Sequence, residues 1–326
     1  MSAKSKRIIL ICLIAALLLA VFLYLCFKND RFGSVKSALA YFGIGQLEDG
    51  DYYLAEGHIS RLDYPASDRM QEHIAERFAF VWQTYLQQSD GKVYFSIIPD
   101  KNYFLAAKNG YPGYDYELFV STMREKTGYM EYIDIFPLLS IEDYYRTDSH
   151  WRQEEIIPVA QTLLAGMGID PSETEYSVNA LSQPFKGAYS GQIALPIKAE
   201  TLYYLTSPVL DSCTVTSYNT GKALPAHMYD MEKASGRDPY EMFLSGNDAL
   251  ITLDNPCAEN QRELIIFRDS YGSSIAPLLV ESYSKITLVD LRYISSAMLG
   301  NFIEFSDQDV LFLYSSTLLN NSMAIK

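Results

Sequence analysis

The sequence predicts an α/β protein: a parallel sheet with helices on both faces, a β-rich insertion, and one transmembrane helix ahead of it. Three observations carry this. Four short apolar runs, KVYFSIIPD, ELIIF, KITLVDL and DVLFLY, are continuous rather than alternating, as strands covered on both faces must be. Amphipathic helical stretches separate them, the spacing that parallel connections need. Residues 8–27 hold twenty positions without a charge, about 30 Å as a helix and enough to cross the hydrocarbon of a bilayer.

That first run is too long for a cleaved signal peptide, and it ends in Leu25, Cys26 and Phe27, a poor cleavage site. Cys26 also lacks the small residues before it that a lipoprotein signal requires. Lys4, Lys6 and Arg7 precede the run, but Lys28, Arg31 and Lys36 follow it, so charge alone does not orient it. A seven-residue tail before a long folded domain fits a signal anchor. The expected order is a cytoplasmic tail 1–7, an anchor 8–27, a polar stem 28–66 and a domain 67–326. That puts the protein in the cell membrane as a single-pass chain, the bulk of it extracytoplasmic, with the lipid bilayer as its first partner.

From residue 29 onward 22 basic residues face 40 acidic ones, a net of −18. Such a surface repels phosphate backbones, so nucleic acid is not an expected partner. Outside the anchor only Cys213 and Cys257 remain, an even pair that an oxidising compartment would join as a disulfide. No metal-type spacing appears among Cys or His, and no cofactor is expected.

Along the domain, Ile74, Phe78, Val81, Trp82 and Tyr85 recur at three and four, giving an amphipathic helix over 67–88. A strand at 92–100 stops at Pro99. A helix over 115–127 closes at Gly128 and leads into strand-like YMEYIDIFPLL. The loop IEDYYRTDSHW follows, then a helix over 152–168 whose first turns Pro158 should bend or shorten. Residues 170–260, rich in Ser, Thr, Tyr and Pro, read as an irregular β insertion. Strand, helix, strand and a last strand then run from ELIIF to DVLFLY.

Two strand-to-loop junctions carry chemistry, and open parallel sheets form their sites at such carboxyl ends. In TDSHW, an extended backbone would bring Asp148 and His150 to one side, where a carboxylate can fix the imidazole tautomer. Read alone, the same residues could simply cap the next helix. In RDSYGSS, Ser270 stands between a strand and a helix, presented outward beside backbone N–H groups able to hold an oxyanion. By itself this too could be a small-residue turn. Tyr271, Trp151 and Asn247 flank these segments as binding candidates, although Trp151 suits packing and Asn247, beside Gly246, suits a turn. Lys101 in PDKNY reads as a solvated loop charge.

TDSHW followed by FRDSYGSSIAP resembles the DHHW family of bacterial anchored proteins. The blocks IIPDKNYFLA, the DYY before TDSHW, FKGAYSGQ, YEMFLSGN and ITLVDLRY agree, so the resemblance runs from about residue 92 to 314. That family is similar to SGNH-hydrolase-like proteins that O-acetylate alginate and other exopolysaccharides, with the Asp-x-His pair ahead of the serine. The resemblance implies a flavodoxin-like fold of the SGNH-hydrolase type. It also implies Ser270 as nucleophile, His150 as general base, Asp148 as its orienter, and a polysaccharide substrate. Where the family's name motif has His, this chain has Ser149. The expected function is acyl, most simply acetyl, transfer or ester hydrolysis on a surface glycan. A non-catalytic glycan-binding or envelope-assembly module is the competing reading, and a lipase lacks a lid segment near Ser270. Whether a membrane protein delivers the acyl group is left open by the sequence.

Overall fold

The structure is a computed structural model that describes residues 47–171, 174–192 and 198–326. The anchor expected at 8–27 lies outside the described residues, and no helix among the described residues is long and apolar enough to cross a membrane. In chain order the strands are β1 (Leu47–Asp49), β2 (Tyr52–Ala55), β3 (His58–Arg61), β4 (Val93–Ile98), β5 (Glu131–Tyr132), β6 (Ser177–Ala180), β7 (Tyr203–Thr206), β8 (Thr214–Ser217), β9 (Leu224–Ala226), β10 (Leu250–Asp254), β11 (Glu263–Arg268), β12 (Lys285–Val289) and β13 (Asp309–Ser315). The α-helices are α1 (Asp68–Val81), α2 (Lys101–Leu105), α3 (Tyr116–Lys126), α4 (Ile157–Gly166), α5 (Pro208–Ser212), α6 (Met231–Ala234), α7 (Gly272–Leu279) and α8 (Ser316–Asn320).

Eight strands form the main sheet in the order β5-β4-β13-β11-β12-β10-β8-β9. From β5 to β12 every pairing is parallel; β10, β8 and β9 extend that edge antiparallel. Alternate side chains of each central strand serve opposite cores, which is why the apolar runs are continuous. Leu264 and Ile266 pack with Val159 and Leu163 of α4 and Ile275 and Leu279 of α7. Ile265 and Phe267 pack on the other face with Ile74 and Phe78 of α1 and Phe119 and Met123 of α3. Ser67 caps α1 and Asp115 caps α3, each side chain accepting a first-turn N–H.

Three expectations change. Residues 47–61 are not a bare stem: β1, β2 and β3 form a three-stranded sheet fixed to the domain through Tyr53 Oη and Ser60 Oγ, both donating to Asn102 Oδ1. Segment 170–260 is an insertion only in part: β6 and β7 pair with each other apart from the main sheet, whereas β8, β9 and β10 extend it. YMEYIDIFPLL yields only the two-residue β5, since Pro137 forces a 3₁₀ turn at Phe136–Leu138. The helix read over 152–168 narrows to α4 at Ile157–Gly166, shortened at its start as Pro158 predicts; the proline sits in the first turn, where no N–H is needed, and a separate 3₁₀ turn precedes it at Gln153–Glu155.

The disulfide is also absent. Both thiols are free. Cys213 is turned back along α5 to donate to Val209 O at 3.3 Å, while Cys257 lies 3.3 Å from Ser212 Oγ.

Candidate active site

The carboxyl ends of β4, β13, β11 and β12 deliver Asp100, Ser315, Asp269 and Asp290 to one rim of the sheet. Asp269 joins two of these ends: its carboxylate accepts from Tyr271 N at 3.1 Å and from Ser315 N and Oγ at 2.9 and 2.7 Å. Ser270 follows Asp269 directly and stands in the turn before α7. Gly272 is required there, since a Cβ would meet Arg268 Cβ at 2.7 Å. The Ser270 N–H has no acceptor among the described residues, which leaves it available to an oxyanion.

The second half of the site is the bend at residues 146–150, closed by the antiparallel bridge between Tyr144 and Trp151. Asp148 and His150 do meet, though not on an extended chain. Asp148 Oδ1 accepts from the His150 N–H at 3.0 Å, an Asx turn that folds the backbone back on itself. The same oxygen lies 2.5 Å from His150 Nδ1, and His150 Nε2 lies 2.7 Å from Ser270 Oγ. With Nδ1–H donating to the carboxylate, the tautomer assigned by these partners leaves Nε2 to accept the serine proton.

Asp148 is fully buried. Burial, the largest single influence, raises its pKa, but the His150 charge and hydrogen bonds from His150 Nδ1, His150 N and Ala188 N together hold it below the ordinary carboxylate range. Ala188 N reaches Asp148 Oδ2 at 2.7 Å because residue 187 is glycine; a Cβ there would lie 2.3 Å from Asp148 Cβ. Thus FKGAYSGQ contributes to the site through a close backbone approach.

Several neighbours escaped the sequence. Tyr240 stacks on the His150 ring at 3.8 Å and 7°, and its hydroxyl donates to Ser274 Oγ at 2.7 Å. Glu200 accepts from Arg146 N, Thr147 N and Thr147 Oγ1 at 2.9, 2.8 and 2.6 Å. Glu200 carries no local sequence signal and Tyr240 only its place at the head of YEMFLSGN, for each reaches the bend across more than fifty residues. Lys101 is the clearest correction: it is 1 % exposed, not a solvated charge. Burial pushes its ammonium down to about 7, with the charges of Glu200 and Asp148 opposing, and carbonyl oxygens around Nζ also favour the protonated amine.

Of the flanking candidates, Tyr271 lines the cleft and donates to Ser149 O at 2.6 Å. Trp151 is buried and packs, its Nε1 donating to Ser274 Oγ at 2.8 Å. Asn247 is exposed, 3.5 Å from Glu241 Oε1, and takes no part in the site. Leu244, Ser245 and Gly246 all have positive φ, so the turn reading applies. Ser149 faces the cleft with Ser270, Tyr189, Arg61, Asp63 and Arg292, around a free volume of about 270 Å³. Asp63 is pushed up to about 6, chiefly by burial and then by Asp100.

No protein-family model and no curated protein matches the chain. Solved structures do. A DHHW family protein from Eubacterium siraeum aligns with a TM-score of 0.64 at 19% identity, covering 86% of this chain and 97% of that one. Bacillus cereus PatB1 with a sulfonyl adduct aligns with a TM-score of 0.62 at 19% identity, covering 84% and 97%. The O-acetyltransferase domain of Pseudomonas putida AlgJ aligns more loosely, with a TM-score of 0.48 at 14% identity over 84% and 91%, too distant to establish a shared fold. The likeness to the DHHW family read from the residue blocks therefore holds in three dimensions: this chain has the fold of the Eubacterium siraeum DHHW family protein and of PatB1.

Proposed function

We propose that the chain is a serine acyltransferase or esterase that moves an ester-linked acyl group on a cell-surface polysaccharide. The observation that carries this is the unbroken chain from Ser270 Oγ to His150 Nε2 and from Nδ1 to a buried Asp148, at 2.7 and 2.5 Å. In that order a base takes the serine proton as Oγ attacks the acyl carbon, and the carboxylate stabilises the imidazolium. The tetrahedral oxyanion would face the Ser270 N–H. His150 then returns the proton to the departing sugar oxygen, leaving acyl-Ser270 for a second hydroxyl or for water. Acetyl and a glycan are what the family resemblance implies, and the cleft is polar enough for a sugar: Ser149, Tyr189 and Arg292 present hydrogen-bonding groups beside Ser270.

Sulfonyl fluorides sulfonylate activated serine hydroxyls by the same kind of attack, with fluoride leaving, and the fold accommodates a sulfonyl adduct in PatB1. Phenylmethanesulfonyl fluoride should therefore add one adduct at Ser270, located by peptide mass spectrometry, and abolish hydrolysis of p-nitrophenyl acetate. A wild-type protein that neither labels nor hydrolyses, yet binds glycan, would replace the enzyme with a binding module. The membrane anchor at 8–27 and an outward-facing domain belong to the same proposal. Protease added to intact wall-free cells should digest the domain; complete protection until lysis would reverse the topology.

A further inference from the structure

We propose that Lys101 is a positioning residue for the catalytic base, clamping the backbone of residues 145–148 so that Asp148 and His150 keep register with Ser270. The inference rests on the triad reading above and adds a residue to it. Lys101 Nζ donates to Tyr145 O at 2.8 Å, Arg146 O at 3.3 Å, Asp148 O at 3.0 Å and, closely, to Ile59 O. Four carbonyl dipoles aimed at one point repel one another, and the Lys101 amine at their centre offsets that repulsion by donating to them. No carboxylate forms a salt bridge with Lys101 among the described residues. Its buried donors are spent on main-chain oxygens, three of them from the catalytic bend.

Two amides and one hydroxyl of the bend go to an anion. Glu200 takes the Arg146 and Thr147 N–H groups and the Thr147 hydroxyl. Carbonyls of Tyr145, Arg146 and Asp148 are thus held by a lysine on one side, and the Arg146 and Thr147 amides by a glutamate on the other. Lys101 also connects this bend to the parts that carry the nucleophile. It follows Asp100, whose carboxylate accepts from Asn102 N, Tyr116 Oη and Ser316 Oγ at 2.6, 2.9 and 2.9 Å, tying the carboxyl ends of β4 and β13 together. Asp269, beside Ser270, is bonded to the same end of β13. The third connection is β3: Ile59 accepts from Lys101 and donates its own N–H to Arg146 O at 2.8 Å. The N-terminal sheet is therefore a buttress of the base.

Lys101→Met, which keeps an apolar stem and removes every donor, tests this. The expected result is a kcat lower by about 10²-fold or more with KM within about threefold, because a base misplaced by an ångström loses that much. Sulfonylation of Ser270 should slow in proportion. A readout that needs no turnover separates this inference from the enzyme reading. The Nδ1–H proton of His150, shifted far downfield by its short bond to Asp148 and identified by its loss in His150→Gln, should disappear from the Lys101→Met spectrum. Lys101→Gln, which keeps amide donors, should recover part of both signals. A folded Lys101→Met with kcat within threefold of wild type, or with the downfield proton intact, overturns the clamp. Loss of near-UV circular dichroism in both variants would reduce Lys101 to a stability residue and overturn it equally.

Discussion

The two halves of the site are built in different ways. The Ser270 turn is local: β11 runs into α7 within four residues, both ends are embedded in the core, and only Gly272 and Asp269 are needed to shape the corner. The His150 bend at 146–150 has no regular structure of its own. It is held by Lys101, Glu200, Ala188, Tyr240 and the Trp151–Ser274 bond, all distant in sequence. A corner set by strand and helix inherits the stability of the core, whereas a bend set by polar pins is only as ordered as those pins. The base side should therefore be the easier half to disturb.

The largest effects leave the comparison aside and test the proposed triad. Ser270→Ala and His150→Ala should each lower kcat by about 10⁶-fold, with the double variant little worse, since triad members act as a unit. Asp148→Asn should cost about 10⁴-fold through the wrong tautomer. The next pair of variants separates the halves. Gly187→Ala places a Cβ 2.3 Å from Asp148 Cβ and 2.6 Å from Thr147 O and should lower kcat by about 10²-fold, with a loss of stability beside it, as Asp148 and its backbone are displaced. Gly272→Ala meets Arg268 in the core and should instead cost about 1–3 kcal/mol of stability in urea unfolding. Were Gly272→Ala to lower kcat as far as Gly187→Ala does, the contrast between pinned bend and embedded corner would fail.

A smaller effect concerns pH. His58, in β3 beside the bend, is held down to about 2, by burial first and then by the charges of Lys101 and Arg146. It is neutral in the fold, so its 4.0 Å approach to Glu142 is no ion pair. The unfolded chain takes up a proton below about pH 6.5 that the folded chain refuses, so stability present above that pH is lost as pH falls toward 2. His58→Leu should reduce the stability lost between pH 7 and pH 5 by about 2 kcal/mol relative to wild type. Smallest of all, Asn247→Ala should leave p-nitrophenyl acetate hydrolysis within twofold of wild type, because Asn247 lies outside the cleft.

The same contrast explains what could be read in advance. Ser270 at a strand–helix corner and the apolar runs of β4, β11, β12 and β13 are local patterns, and period and composition reveal them. Asp148 and His150 were legible as a pair only through spacing and resemblance, and the extended geometry assumed for them gave way to an Asx turn. Lys101, Glu200 and Tyr240 were not legible, because a lysine in a loop looks solvated until four carbonyls from elsewhere surround it. Residues 47–61 read as stem for a similar reason: short polar strands gain their order from Asn102 and Lys101, not from their own sequence.

The place of Trp151 gives the protein a built-in optical probe. The chain has two tryptophans. Trp82 stacks near Tyr129 on the α1 side, while Trp151 is wholly buried, 5.3 Å from the Tyr271 ring and bonded to the same Ser274 hydroxyl that receives Tyr240. A Trp82→Phe protein would emit from position 151 alone. Its blue-shifted fluorescence would report directly on the hydroxyl junction beneath His150, so that binding, covalent labelling or loosening of the bend could be followed in real time.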